Sequence, residues 1–154
     1  PRNMILMAPK NRNLMKELDP ENATKFIRNC SKLIKTLQVL DREVAKTLLP
    51  VKGKNFYVYH PAFGHFADRY GLKQVAIEVE GKEPSARQLA KLVTQARKEK
   101  VRTIYIQKQF ARRSAHKLAA AIGATVEPLD PLDEDYVANM RNMAKVLAEG
   151  LATK

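Results

Sequence analysis

The chain is short of cysteine, of long apolar runs and of acidic residues, and each shortage removes a class of function. Its one cysteine, Cys30, excludes an internal disulfide and a zinc site built on paired thiolates. Cys30 falls on an apolar helical stripe, which reads as buried filler rather than a nucleophile. No apolar run approaches the ~20 residues that a membrane-spanning helix needs. The chain opens on Pro1-Arg2-Asn3, with no initiator methionine and no basic-then-apolar leader. That is expected either of a chain whose leader has been removed or of a piece of something longer. No internal repeat or low-complexity stretch is present, and no glycine-rich phosphate loop follows a strand-like segment, which disfavours nucleotide binding.

Acids are outnumbered by bases, 16 to 28, for a net charge of +12. Such a balance invites a nucleic-acid reading. The basic residues are nevertheless scattered along the chain. The densest cluster is Arg97-Lys98-Glu99-Lys100-Val101-Arg102, with Lys108, Arg112 and Arg113 nearby. No helix-turn-helix spacing, zinc finger or aromatic RNA-binding strand accompanies it. The expectation is therefore solvated helix faces and no nucleic-acid partner, and the nucleic-acid alternative rests on charge alone.

What is present is enough for one domain plus an appendage: 154 residues, 45% of them hydrophobic. Residues 1–52 read as helical. Pro9 predicts a late start or a kink in the first segment. Asp19-Pro20-Glu21 is a restart signal, with a capping acid, a proline at the first helical position and an acid in the first turn. From there Phe26, Cys30, Leu33, Leu37, Leu40, Val44 and Leu48 step by three or four, until Pro50 and Gly53 end the pattern. Such a rod is ~43 Å long at ~1.5 Å per residue, and suits either a coiled-coil arm or a spine between lobes.

Residues 53–154 change texture to alternating strands and helices. Strands are expected at 56–59, 74–79, 102–106 and 124–129. Helices are expected at 61–70, at a segment opened by Pro84, at 112–122, and at 134–151 with Asp133 as cap. The fold class is α/β: a long N-terminal spine helix, then a four-stranded, mostly parallel sheet with helices on both faces.

Ligands of such sheets collect at the carboxyl ends of the strands. There the sequence places His60-Pro61, Glu78-Val79-Glu80, Gln107-Lys108-Gln109-Phe110 and Asp130-Pro131. A histidine and an aspartate, each fixed by a following proline, suit a divalent metal such as Zn²⁺ or Mn²⁺. By themselves they are only suggestive, since a His-Pro after a strand is more often structural and Asp130 could be a turn or helix-cap residue.

The string Tyr57-Val58-Tyr59-His60-Pro61-Ala62-Phe63-Gly64-His65-Phe66 resembles the His-Pro-Ala-aromatic-Gly-Tyr-Phe motif of the zinc/manganese solute-binding proteins of ABC metal importers. Ile77-Glu78-Val79-Glu80-Gly81-Lys82-Glu83-Pro84-Ser85, Leu129-Asp130-Pro131-Leu132 and Leu18-Asp19-Pro20-Glu21-Asn22-Ala23 continue the resemblance in order. It implies two α/β lobes joined by one long helix, with the metal held between them. Two histidines come from the N-terminal lobe, and a His or Glu and an Asp come from the C-terminal one.

Carried over by motif, His60 and Asp130 are metal ligands. Histidine at the first of these positions favours zinc, with manganese the alternative. The resemblance further implies an extracytoplasmic, membrane-associated receptor that binds and releases metal, hands it to an ABC permease and performs no bond chemistry. His65 replaces the family's tyrosine and is expected beside the ligands rather than on the metal. Gln107-Lys108-Gln109-Phe110 replaces Glu-Pro-Gln-Phe, and His116 reads as a surface residue. The chain matches only the linker helix and the C-terminal lobe. With the N-terminal lobe missing, weak zinc binding and a homodimer formed through the exposed helix are expected of this chain by itself. A metal-assisted hydrolase is the alternative function, but no nucleophile is paired with a base.

Overall fold

The computed structural model describes residues 1–107 and 113–152. The chain divides into two compact units, Pro1–Lys46 and Thr47–Lys154. Lys108, Gln109, Phe110 and Arg112, singled out above, lie outside the described residues.

The first unit holds helix α1 (Arg2–Leu18), a single 3-10 turn (Pro20–Asn22) and most of helix α2 (Ala23–Leu48). Pro9 lies inside α1 rather than delaying it. No residue of α1 is buried, so solvent can meet the carbonyl that Pro9 leaves without a donor. Asp19 caps the restart as expected, its side chain accepting from the Asn22 amide at 3.3 Å with Pro20 at the first position. α2 spans 26 residues, shorter than the pattern implied. Its continuation at Leu49–Val51 tightens to a 3-10 turn around Pro50. Cys30, Leu37, Leu40, Val44 and Leu48 form a buried stripe, whereas Leu33 is exposed. On α1, Leu6, Met7, Leu14, Met15 and Leu18 are exposed as well.

The second unit is a four-stranded sheet: β1 (Asn55–Val58), β2 (Lys73–Ala76), β3 (Thr103–Ile106) and β4 (Thr125–Pro128), in the order β2-β1-β3-β4. All the pairings are parallel. Between and after the strands come α3 (Gly64–Tyr70), α4 (Ala86–Lys98), α5 (Arg113–Ile122) and α6 (Tyr136–Leu151). The central strands β1 and β3 are buried almost throughout, while β2 and β4 form the edges. Pro128 is tolerated because β4 needs donors on one side only.

Residues alternate between the two faces of the sheet. Tyr57, Tyr59, Ile104 and Ile106 pack with Ala96 of α4 and with Ala115, Leu118 and Ala119 of α5. On the other face the rings of Phe56 and Tyr105 meet edge-on at 6.4 Å. There Tyr105 donates to the Val146 carbonyl of α6 at 3.4 Å. Helices therefore cover both faces, as expected of a parallel sheet.

Two helix starts differ from expectation. α4 begins after Ser85, not at Pro84. The Ser85 hydroxyl accepts from the Gln88 amide, and the Gln88 side chain accepts from the Ser85 amide at 2.8 Å, a reciprocal box that outcompetes the proline signal. α6 is capped by Asp135, whose side chain accepts from the Ala138 amide at 3.0 Å. Asp133 instead accepts from the Asp135 amide and shapes the turn leading in. Among the described residues no helix is long and apolar enough to cross a membrane.

Candidate metal centre

The strand order makes the chain leave β1 outward to β2, then return across β1 to β3 and β4. The connections diverge between β1 and β3. In open parallel sheets the crevice beyond the carboxyl ends at such a divergence is the natural ligand position. His60, two residues past β1, stands there.

The loop that carries His60 is held at each step. The Tyr59 amide donates to the Tyr105 carbonyl at 2.9 Å, keeping the chain on β3 beyond the formal end of β1. The Ala62 amide donates to the His60 carbonyl at 2.9 Å, closing a tight turn around Pro61. The Phe63 amide donates to Gln74 Oε1 of β2 at 2.7 Å. These bonds limit where the imidazole can go.

Glu78 arrives beside it by register. Asn55 faces Lys73 and Val58 faces Ala76, an offset of 18 that the His60–Glu78 pair repeats. β2 keeps to β1 past its formal end, because the Ile77 and Glu78 amides donate to the Val58 and Tyr59 carbonyls at 2.9 and 3.1 Å. The chain then reverses. Glu80 and Gly81 adopt φ of 52° and 76°, and Val79 and Lys82 exchange both backbone hydrogen bonds at 3.0 Å, the pattern of a two-residue hairpin turn. This turn ends the strand that sequence periodicity extended to Val79.

His60 Nδ1 and Glu78 Oε1 are 2.6 Å apart. The Glu78 side chain is 4% exposed and that of His60 is 36% exposed. A buried carboxylate thus grips one ring nitrogen while the ring keeps an accessible edge. Donation of Nδ1–H to a buried carboxylate is the arrangement that orients a metal-binding imidazole. Behind the pair, the Tyr59 hydroxyl donates to Glu83 Oε1 at 3.2 Å. Burial first, then the charge and hydrogen bond of Glu83, then the charge of Glu78, raise the phenol above its ordinary range, so it stays a neutral donor.

Asp130 stands at the carboxyl end of β4, on the same edge of the sheet, with β3 between it and the strand of His60. Its Oδ1 accepts from the Leu132 amide at 3.0 Å across Pro131, and its carbonyl accepts from Asn139 Nδ2 of α6 at 2.7 Å. Gln107, 2% exposed, closes β3 between them. β1 and β4 are about 10 Å apart at the usual strand spacing. Among the described residues no group of three or more His, Cys, Asp or Glu side chains is assembled to hold a metal ion.

His65 is elsewhere. It is exposed in the first turn of α3 and lines a shallow depression with Asp68 and Gln74. Among the described residues it makes no hydrogen bond or ion pair with His60, Glu78 or Asp130. His116 is exposed on α5. The sequence reading passed over Glu78 as a partner of His60. The acid at the next strand's end was visible, but the register that sets it opposite the histidine was not.

The chain is similar in sequence and fold to known proteins. The model of the family described as zinc-uptake complex component A, periplasmic, matches residues 1–150. The chain is 39% identical over 117 residues to the high-affinity zinc uptake system protein ZnuA of Bacillus subtilis (strain 168), covering 75% of this chain and 37% of that protein. It is 33% identical over 142 residues to the zinc-binding lipoprotein AdcA of Streptococcus pneumoniae serotype 4, covering 84% of this chain and 28% of that protein. A crystal structure of ZnuA superposes with a TM-score of 0.89 at 35% identity, over 92% of this chain and 55% of that one. The chain thus spans well under two thirds of each of these relatives.

Proposed function

The chain belongs to the zinc-uptake complex component A family, and from that premise we propose that it is part of an extracytoplasmic zinc receptor serving an ABC importer. Its second unit supplies two of the donors that hold the cargo ion. His60 offers Nε2 and Asp130 a carboxylate oxygen, a nitrogen-and-oxygen set suited to Zn²⁺. The His60–Glu78 pair at the β1–β3 divergence carries this reading. The names of the relatives support zinc as the cargo, and the imidazole favours it over Mn²⁺.

Each residue has a separate task. Glu78 holds the ring of His60 by Nδ1 and so sets the direction of the ring that is to meet the ion. The Leu132 amide and Asn139 fix the loop from which the Asp130 carboxylate projects. Two donors do not close a tetrahedral sphere, so the remaining ligands come from outside this chain, in the longer protein from a further lobe. Binding and release, the latter to a permease, then constitute the whole function. The hydrolase alternative gains nothing from the geometry: the Ser85 hydroxyl is occupied in the helix cap and Ser114 is buried.

The exposed Leu6, Met7, Leu14, Met15 and Leu18 of α1 support a covered face in the longer protein and self-association in this chain alone. Light scattering is expected to show a species larger than the monomer, and a monodisperse monomer would refute the self-association.

Titration calorimetry with Zn²⁺ and with Mn²⁺, on this chain and on His60→Ala and Asp130→Ala, tests the receptor reading. Zinc binding that is lost in both variants and exceeds manganese binding is expected. Equal zinc binding in the chain and in His60→Ala would overturn the assignment of His60.

A further inference from the structure

Parallel strands bring all their amino ends to the opposite edge of the sheet. Lys54 precedes β1, Lys73 opens β2, and Lys100 and Arg102 precede β3. Among the described residues these four cations line one depression of about 590 Å³ with a single carboxylate, Glu99. Two cations of the densest basic cluster of the sequence, Lys100 and Arg102, are thereby set beside Lys54 and Lys73 on one concave surface.

Glu99 offsets one of these charges but forms no ion pair with the four cations among the described residues. Its oxygens accept from Asn55 Nδ2 at 2.8 Å, Gln95 Nε2 at 3.0 Å and the Tyr57 hydroxyl at 3.1 Å, all uncharged donors. Among the described residues the side chains of Lys73, Lys100 and Arg102 make no hydrogen bond or ion pair. Lys54 lies deeper, donating to the Leu151 carbonyl at 2.7 Å. Lys100 is held at φ 53° where the chain leaves α4. The corresponding left-handed positions after α3 and α5 are Gly71 and Gly123. A lysine that lines the depression therefore occupies a place whose backbone favours glycine.

We propose that this depression binds a phosphate group, carried either by a free phosphate or by an anionic phospholipid headgroup. Two ammonium groups and a guanidinium without acidic partners offer several charge-assisted donors to one multivalent oxyanion. The site is separate from the metal centre and independent of the reading given to it.

The test pairs two variants of equal charge. Lys100→Gly combined with Arg102→Gln removes two charges from the depression, and the glycine relieves the left-handed backbone, so the fold is retained. Lys91→Gln combined with Lys117→Gln removes two charges from exposed faces of α4 and α5. Binding of inorganic phosphate is followed by calorimetry, and binding to phosphatidylglycerol and phosphatidylcholine vesicles by co-sedimentation, at about 0.15 M salt. At least a tenfold loss in the first variant, with little change in the second, is expected. If inorganic phosphate binds, the source is a free phosphate; if only phosphatidylglycerol vesicles bind, it is the headgroup. Equal losses in both variants, or no binding of either probe by the parent chain, overturns the proposal.

Discussion

The two edges of the sheet treat charge in opposite ways. At the carboxyl edge carboxyl groups are held by specific polar partners: Glu78 is buried against His60, Glu83 takes the hydroxyl of Tyr59 and Asp130 accepts from the Leu132 amide. At the amino edge four cations surround one acid whose oxygens are held by neutral donors. The first arrangement fixes the direction of a single lone pair, which is what selecting a metal by geometry requires. The second raises local potential without fixing a direction, which suits an anion recognised mainly by charge. As proposed, the same strands carry a directional site at one end and an electrostatic one at the other.

The sharpest way to test that contrast is to damage one edge and read both. His60→Ala should weaken zinc binding by more than about 100-fold, beyond the range seen when only a ligand's supporting group is lost. Phosphate binding should not change, and a parallel loss of both would mean the edges are not independent. Glu78→Ala should follow, with a loss of about 10–100-fold in zinc affinity by titration. Glu78→Gln should recover part of it, because an amide oxygen can still accept Nδ1–H. An unaltered affinity in Glu78→Ala would leave the pair no orienting role.

Stability changes should be smaller and distributed along the same axis. A methyl group at Gly150 would collide with the Tyr105 hydroxyl and approach Thr103 Oγ1 to 3.0 Å. Gly150→Ala should therefore cost about 1–3 kcal/mol in urea unfolding. Ser85→Ala, at the carboxyl-edge start of α4, should cost about 1 kcal/mol by loss of its cap. The smallest effect is electrostatic. Burial alone would raise the Glu99 carboxyl, but hydrogen bonds from Asn55, Gln95 and Tyr57, aided by Lys98, hold it below its ordinary range. A carboxyl depressed in the folded state contributes stability above its unfolded pKa of about 4.3, and that contribution disappears as the pH falls through the folded value. Tyr57→Phe should make acid unfolding slightly less steep, and an unchanged profile would show that the hydrogen bond does not stabilise the charge.

Periodicity and punctuation made most of the fold legible. The apolar steps from Cys30 to Leu48 marked α2, and glycines closed α3 and α5 at Gly71 and Gly123. What sequence could not rank was competition between adjacent signals. Pro84 and Ser85 both announce a helix start, and only the reach of Gln88 decides for Ser85. Asp133 and Asp135 pose the same choice at α6, settled by which side chain meets the Ala138 amide. Pro9 was read as delaying or kinking the first helix, and the delay did not hold because its cost was judged without knowing that α1 is nowhere buried. At the site, His60 and Asp130 were visible as residues at strand ends, but the Glu78 partnership depended on an inter-strand register that local pattern does not encode.

The strand order bears on how the molecule comes together. β1 with β2, and β3 with β4, each pair across a short stretch of chain, whereas joining the halves means bringing Tyr57 to Ile104. That is the most distant closure in the sheet, and distant closures are the slow ones. His60 and Glu78 belong to the first half and Asp130 to the second. An ion held by both His60 and Asp130 would therefore act as a clasp across the last seam to close. It would hold the halves together against unfolding in proportion to how tightly it is bound.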